Sequence, residues 1–284
     1  MHIVRIMGGL GNQLFEYALY IKFKTMGYEA YVDTNGYRNG EEFRSCQLEA
    51  IGATFEEAPE SGKRKLFCNT NSRLSMAIAK RLHKKTHFRQ RELFFDESIL
   101  NQKEGYFDGY WQSEKYFAGS EDEIRDAIEL KEELSQQNQA YLSRMSSDVD
   151  SVSVHIRLGD YLDNDSMYGG ICTEDYYEKA ISYILENVSK PSFYVFSNDI
   201  EKAKNIFSLL GVADATFVEG NSEDKGYIDL FLMSACRHHI IANSSFSWWG
   251  AWLGKAEDKI VVAPSTWVKG IRSDDVCPDS WVRI

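Results

Sequence analysis

From residue 152 onward, strand-like and helix-like segments alternate without interruption, and this alternation restricts the fold more than any other feature of the chain. Val152, Val154, Ile156 and Leu158 alternate with Ser153, His155 and Arg157, a period of two that predicts a strand with one apolar face and one face ending in an imidazole and a guanidinium. A helix is predicted near Glu174–Asn187, with Ala180, Ile181, Ile184, Leu185 and Val188 on one stripe and Thr173 as its cap. Strand Phe193–Phe196 runs through Ser197-Asn198-Asp199 into a helix carrying Ala203, Ile206, Phe207 and Leu210, which Gly211 stops. Strand Ala215–Val218, helix Asp224–Cys236, strand His239–Ala242, a helix ending near Gly254 and strand Lys259–Val262 complete the series. Strands joined by helical crossovers predict an α/β fold with a parallel, doubly wound sheet, whose ligands bind beyond the carboxyl ends of the strands.

The first half starts the same way and then loses its regularity. Strand Ile3–Ile6, a glycine turn, helix Gln13–Thr25 and strand Ala30–Val32 form one βαβ start, and aromatic residues crowd the stretch Tyr106–Phe117. Ser120 and Glu123 have the spacing of a capping box, read as opening a long polar helix through Leu142. At 284 residues two domains are the default, and Ser143–Ser151, rich in Ser and Asp, reads as the linker. The domains are therefore expected at residues 1–145 and 151–284.

Composition narrows the function. The chain is 43% apolar, and nothing approaches the roughly 18 consecutive apolar residues of a membrane span. A strand already begins at His2, which leaves no room for a signal peptide, so the expected location is the cytoplasm. Five cysteines without a CxxC pair indicate reduced thiols rather than a disulfide framework or a zinc site. A net charge of -11 argues against a nucleic-acid partner. One stretch departs from this balance, because residues 63–91 hold ten Lys and Arg and no acid. Leu74, Ile78 and Leu82 recur there every fourth residue, as in an amphipathic helix whose basic face is either ordinary solvated surface or a patch for a phosphate-bearing substrate or for peripheral contact with the anionic inner face of a membrane.

Three strand tips and one turn carry chemistry. In Gly8-Gly9-Leu10-Gly11-Asn12-Gln13, glycines between a strand and a helix let a backbone approach an anion at the helix N-terminus. Asp33 follows at about the distance at which a nicotinamide-binding fold contacts ribose, which suggests an NAD-dependent oxidoreductase, but Leu14 occupies the place of that fingerprint's third glycine. Arg157 offers a planar fork suited to a diphosphate, and Asp160 could hold the guanidinium in place. Ser197, Asn198 and Asp199 either cap the following helix or present a carboxylate to a guanine edge. Asn243, Ser244, Ser245, Phe246 and Ser247 set hydroxyls and backbone N–H groups at a helix start, a ready anion site, whereas Trp248, Trp249 and Trp252 read as core. Asp163-Asn164-Asp165 reads as a turn, and His83 and His87, although at helical zinc spacing, lie in a basic flank, so no metal is expected.

In order along the chain, Gly-Gly-Leu-Gly-Asn-Gln (8–13), His-Ile-Arg-Leu-Gly-Asp-Tyr (155–161), Phe-Ser-Asn-Asp (196–199) and Asn-Ser-Ser-Phe-Ser-Trp-Trp-Gly-Ala-Trp-Leu (243–253) resemble the motifs of the alpha-1,2-fucosyltransferases, glycosyltransferase family 11. The resemblance implies a GT-B fold, two Rossmann-like domains facing across a cleft, with the donor GDP-L-fucose held mainly by the C-terminal domain and the acceptor on the N-terminal side. It implies inversion at the fucose anomeric carbon, no cofactor and no metal, and a terminal β-galactoside whose 2-hydroxyl attacks. On the matched positions Arg157 would hold the diphosphate, with Asp160 beside it. His155 and Asp199 would lie by the guanosine, Ser244–Ser247 would bind phosphate oxygens, and Gly9, Gly11, Asn12 and Gln13 would face the cleft. The general base stays open among Glu16, Asp33, Asp108 and Asp160. Two other functional classes stand beside this one, the oxidoreductase and a non-catalytic glycan-binding module.

Overall fold

The computed structural model describes residues 1–66, 86–157, 167–212 and 215–284, and the chain divides into two compact units. The first comprises Met1–Glu129 with Asp274–Val276, the second Leu130–Ser273 with Cys277–Ile284.

In the first unit β1 (His2–Arg5), α1 (Leu10–Thr25) and β2 (Ala30–Asp33) form the expected βαβ start, followed by the short helices α2 (Asn35–Arg38) and α3 (Glu60–Leu66) and by β3 (His87–Arg89), β4 (Gly105–Asp108) and α4 (Glu121–Ala127). The sheet order is β2-β1-β4-β3, with every neighbouring pair parallel. α1 buries almost its whole length, including Leu14, Phe15, Leu19 and Phe23, so the residue in place of a third glycine belongs to the core. The chain leaves β1 to one side for β2, whereas β4 lies on its other side. The crevice between the carboxyl ends of β1 and β4 is thus the topological switch point.

The second unit holds α5 (Gln136–Ser147), β5 (Ser151–Ile156), α6 (Glu174–Asn187), β6 (Ser192–Ser197), α7 (Ile200–Leu209), β7 (Ala215–Phe217), α8 (Gly226–Ala235), β8 (His238–Ile240), α9 (Ser245–Leu253), β9 (Val261–Ala263) and β10 (Val282–Arg283). Its parallel sheet has the order β10-β9-β8-β5-β6-β7, so the alternation read from the sequence closes into one doubly wound sheet. All six residues of β5 are buried, because helices cover both faces of such a sheet. The polar set of its alternation therefore marks a second buried face, where Ser153 Oγ meets His239 Nδ1 at 2.8 Å. Tyr177, Ala180, Ile184 and Phe207 close over Val152, Val154 and Val195 on the other side. α8 and α9 approach closely because position 250 is glycine; a methyl there would stand 2.9 Å from Met233 Cβ. Trp248 and Trp249 are fully buried in the same region, with Trp281 against Trp248 at 5.3 Å between ring centroids.

Four local expectations change. The helix starting after Ser120 does not run to Leu142; α4 ends at Ala127, where Ile128 turns extended, and α5 starts afresh on Ser135, whose hydroxyl accepts from the Asn138 N–H at 3.2 Å. The capping box fails because the Ser120 hydroxyl is engaged by that of Thr25, 2.8 Å away. The division falls at Glu129/Leu130 rather than within Ser143–Ser151, since α5 packs with α8 in the second unit. Thr173 does precede α6, but its side chain makes no capping hydrogen bond.

Of the basic stretch, residues 67–85 lie outside the described residues, and with them Leu74, Ile78, Leu82 and His83. The described cations of that stretch are largely matched internally. Lys63 is buried against Asp33 (2.9 Å) and Glu60 (3.3 Å), Lys65 meets Glu104 at 2.6 Å and Arg89 meets Asp108 at 3.0 Å. His87 lies on a strand, which removes the helical zinc spacing. No described helix is long and apolar enough to cross a membrane.

Candidate active site

In the second unit, three of the sequence's strand tips stand side by side. β5 pairs with β6 in the register His155↔Phe196 and Ile156↔Ser197, and with β8 in the register Val154↔Ile240. The stretches that follow, Arg157, Ser197–Asp199 and Asn243–Ser247, therefore leave the same edge of one sheet. The winding direction reverses between β5 and β8, so Arg157 and the start of α9 flank the switch point, the crevice where doubly wound sheets hold ligands.

The individual side chains divide into those that face outward and those that brace. Arg157 is half-buried at the end of β5. His155 is 6% exposed, its ring centroid 5.8 Å from that of Phe246, and its Nδ1 is buried with no hydrogen-bond partner. Burial, reinforced by the Arg157 charge, pushes its pKa down to about 3, so the imidazole is neutral at physiological pH rather than a cation. Asp199 caps α7, accepting from the Lys202 N–H at 3.2 Å and pairing with Lys202 Nζ at 3.1 Å; these contacts hold its carboxyl below the usual carboxylate range. Ser197 Oγ accepts from the Asp199 N–H at 3.1 Å and fixes that turn, leaving Asn198 exposed at its apex.

α9 begins at Ser245 with Ser244 as its N-cap residue, and no side chain caps it. The first-turn N–H groups of a helix lack carbonyl partners one turn back and carry the positive end of the helix dipole. Asn243 is a brace: it is 1% exposed, donates from Nδ2 to the carbonyls of Tyr168 (3.0 Å) and Trp267 (3.2 Å), and its Oδ1 accepts from the Cys172 thiol at 3.4 Å. Its side chain holds the entry to α9 rather than a ligand. Asp160 and the Asp163–Asp165 turn lie outside the described residues.

In the first unit the glycine turn sits at the other switch point. Gly8 has φ +73°, the left-handed region that favours glycine, and a methyl there would stand 2.8 Å from Asn12 Nδ2. Gly9 precedes α1, and Gly11 is buried within it. Gln13 is a staple: Nε2 donates to the carbonyls of Gly8 and Ser45, both at 3.0 Å, and Oε1 accepts from the Gln47 N–H at 2.8 Å. Asn12 Oδ1 accepts from Gln112 Nε2 at 2.7 Å, which ties the turn after β4 to the turn after β1. Trp111, next to Gln112 in the chain, has a positive φ of 53°, alone among the described non-glycine residues. Residues that sequence reasoning missed crowd here too: the Tyr37 hydroxyl donates to the Gly8 carbonyl at 2.8 Å, and Glu42 Oε2 accepts from the Gly8 N–H at 2.9 Å. Their only sequence signal is a Phe at position 43 inside an otherwise polar stretch.

The three described candidates for the general base are all committed. Asp33 Oδ1 meets Lys63 and its Oδ2 accepts from the Tyr106 hydroxyl at 2.9 Å. Asp108 is clamped by Arg5 (3.4 Å), His87 (3.2 Å) and Arg89 (3.0 Å). Glu16 is fully buried; Oε2 accepts from the Met7 N–H at 2.8 Å, and Oε1 has no partner. Burial, with Glu42 and Asp108 adding to it and the Met7 N–H and Arg5 opposing it, raises its pKa well above 4.5. The stability supplied by its bound proton is therefore complete below about pH 4.5 and is lost as pH rises through the folded-state value. Glu16→Gln is expected to flatten the fall in melting temperature as pH rises above 4.5, measured by thermal unfolding. A variant whose curve parallels the wild type would show that burial does not raise this carboxyl's pKa.

Comparison with known proteins agrees with this geometry. The model of glycosyl transferase family 11 matches residues 67–284. The alpha-1,2-colitosyltransferase of Escherichia coli is 35% identical over 300 residues, covering 99% of this chain and 98% of that protein. Galactoside alpha-(1,2)-fucosyltransferase 1 of Plecturocebus brunneus is 26% identical over 189 residues, covering 62% of this chain and 51% of that protein. Among solved structures, NodZ alpha-1,6-fucosyltransferase soaked with GDP-fucose superposes with a TM-score of 0.50 at 15% identity, over 89% of this chain and 91% of that one. At that identity the likeness concerns the fold alone, and with the two parallel α/β units described above it assigns the chain to the GT-B type.

Proposed function

The chain belongs to glycosyl transferase family 11, and on that premise we propose that it moves L-fucose from GDP-L-fucose to the 2-hydroxyl of a terminal β-galactoside, with inversion at the anomeric carbon. The observation that carries the reading is the adjacency of Arg157, the Ser197–Asp199 turn and the Ser244–Ser247 helix start on one edge of one sheet. With the neutral imidazole of His155 behind Arg157, this edge offers a guanidinium fork and a helix N-terminus at the switch point and a polar turn beside them, groups that suit a nucleoside diphosphate. In the reaction the acceptor oxygen bonds to the fucose anomeric carbon as the bond from that carbon to the β-phosphate oxygen breaks, GDP leaves and the hydroxyl proton passes to a base. Charge grows on the departing diphosphate, where Arg157 and the α9 start act. Asp160 is proposed, on sequence spacing alone, to support the guanidinium.

The alpha-1,2-colitosyltransferase relative favours a second donor, GDP-colitose. Colitose is L-fucose without its 3-hydroxyl. A site that hydrogen-bonds that hydroxyl rejects the deoxy sugar by about 10,000-fold or more, whereas a site that leaves it in solvent accepts both. The test is incubation with lactose and either GDP-fucose or GDP-colitose, with product identified by mass and by the anomeric coupling of the new linkage. An alpha-1,2-fucosylated trisaccharide formed preferentially from GDP-fucose is expected. Preferential colitosyl transfer would replace the donor, and GDP released with neither sugar transferred would overturn the acceptor.

A further inference from the structure

The geometry points to an acceptor subsite on the first unit, in which Phe43 is the platform on which the pyranose ring of the acceptor stacks. This inference rests on the transferase reading above and adds a specificity-determining residue to it. Phe43 is 107% exposed, the most exposed of the large apolar side chains among the described residues. A lone exposed apolar residue needs no explanation; this one is held out by its neighbours. On one side the Glu42 carboxylate accepts from the Gly8 N–H at 2.9 Å, and on the other Arg44 lies over Gly9, its Cδ 3.5 Å from where a methyl on that glycine would stand. With both flanking side chains laid on the glycine turn, the ring between them is presented to solvent rather than folded back.

The location suits a sugar. The glycine turn lies at the switch point between β1 and β4, and Tyr110, from the strained turn after β4, reaches the same place, its Cε1 3.5 Å from a methyl built on Gly8. A β-galactoside has one apolar face made of ring C–H groups, which pairs with an aromatic ring, and hydroxyls around its rim, which pair with a carboxylate such as Glu42 and a guanidinium such as Arg44. An aromatic platform flanked by one anionic and one cationic group fits a neutral hexopyranoside better than a charged one.

The test compares wild type, Phe43→Ala and Phe43→Trp in steady-state transfer from the nucleotide sugar to lactose, varying each substrate in turn. Phe43→Ala is expected to raise the lactose KM roughly five- to tenfold with the donor KM within about twofold, and Phe43→Trp to restore it, as loss and recovery of one stacking contact require. An unchanged lactose KM in Phe43→Ala overturns the subsite, and so does a parallel rise in both KM values that Trp fails to reverse. If the wild type transfers no sugar to lactose, the transferase reading fails separately. The subsite is then judged by saturation-transfer NMR with methyl β-galactopyranoside: ring C–H signals present in wild type and lost in Phe43→Ala support it, and their absence from wild type removes it.

Discussion

Arg157→Ala is expected to lower kcat/KM for transfer by about 100- to 1,000-fold, the loss that follows removal of one preorganised donor from a developing oxyanion. The residue follows β5 at the switch point beside the start of α9, and in the proposed reaction both the guanidinium and the helix dipole would act on the same leaving group. Removing it also releases the second contribution to the depressed pKa of His155, although burial, the larger cause, keeps that ring neutral. Arg157→Lys retains the charge but not the planar fork, so it should recover only part of the loss. Calorimetry with GDP separates ground-state binding from transition-state stabilisation: a deficit in kcat exceeding the deficit in GDP affinity is the expected pattern. Near-normal turnover in Arg157→Ala would remove Arg157 from the reaction.

Asp108→Ala is expected to cost about 2 kcal/mol of stability, because it removes a buried carboxylate shared by Arg5, which keeps Glu41 and Glu42, by His87 and by the more exposed Arg89. At roughly 2–4 °C per kcal/mol, thermal unfolding should register a drop on the order of 4–8 °C at neutral pH. The pH dependence gives a second check. Burial alone would raise the Asp108 pKa, but His87, Arg5 and Arg89 outweigh it and bring it down from 3.8 to about 2. The native state thus holds this carboxylate ionised where the unfolded chain would protonate it. The stability it contributes is complete above pH 3.8 and is lost as pH falls through 3.8 towards about 2, so the wild-type and mutant melting curves should converge there. A constant gap between the two down to that pH would show that the loss comes from packing rather than from the charge.

The same clamp shows where reading the chain residue by residue stops. Asp108 was one of four carboxylates open as the general base; its three side-chain partners, Arg5, His87 and Arg89, come from β1 and β3, and their convergence depends on the strand order β2-β1-β4-β3. Lys63 belonged to a basic stretch that looked like a surface, yet it is buried against Asp33. Asn243, read with Ser244–Ser247 as part of an anion site at a helix start, spends its side chain on Tyr168, Trp267 and Cys172. The capping box at Ser120 had the right spacing and lost its hydroxyl to Thr25, 95 positions away in the chain. In each case a distant partner claimed a group whose local sequence suggested another use.

The sequence by itself determined the strand and helix alternation, the parallel sheet that follows from it, the glycine at position 8 and the four motifs that resemble family 11. These are legible because period, turn chemistry and steric allowance depend on neighbouring residues alone. Tertiary structure decided that β8, β5 and β6 lie next to one another, so that tips separated by tens of residues share an edge. It also decided that the chain divides at Glu129/Leu130 and that Glu42 and Arg44 lie on the glycine turn with Phe43 between them. Those outcomes follow from long-range burial and ion pairing, whose free energies depend on which surfaces meet, and no local pattern encodes that.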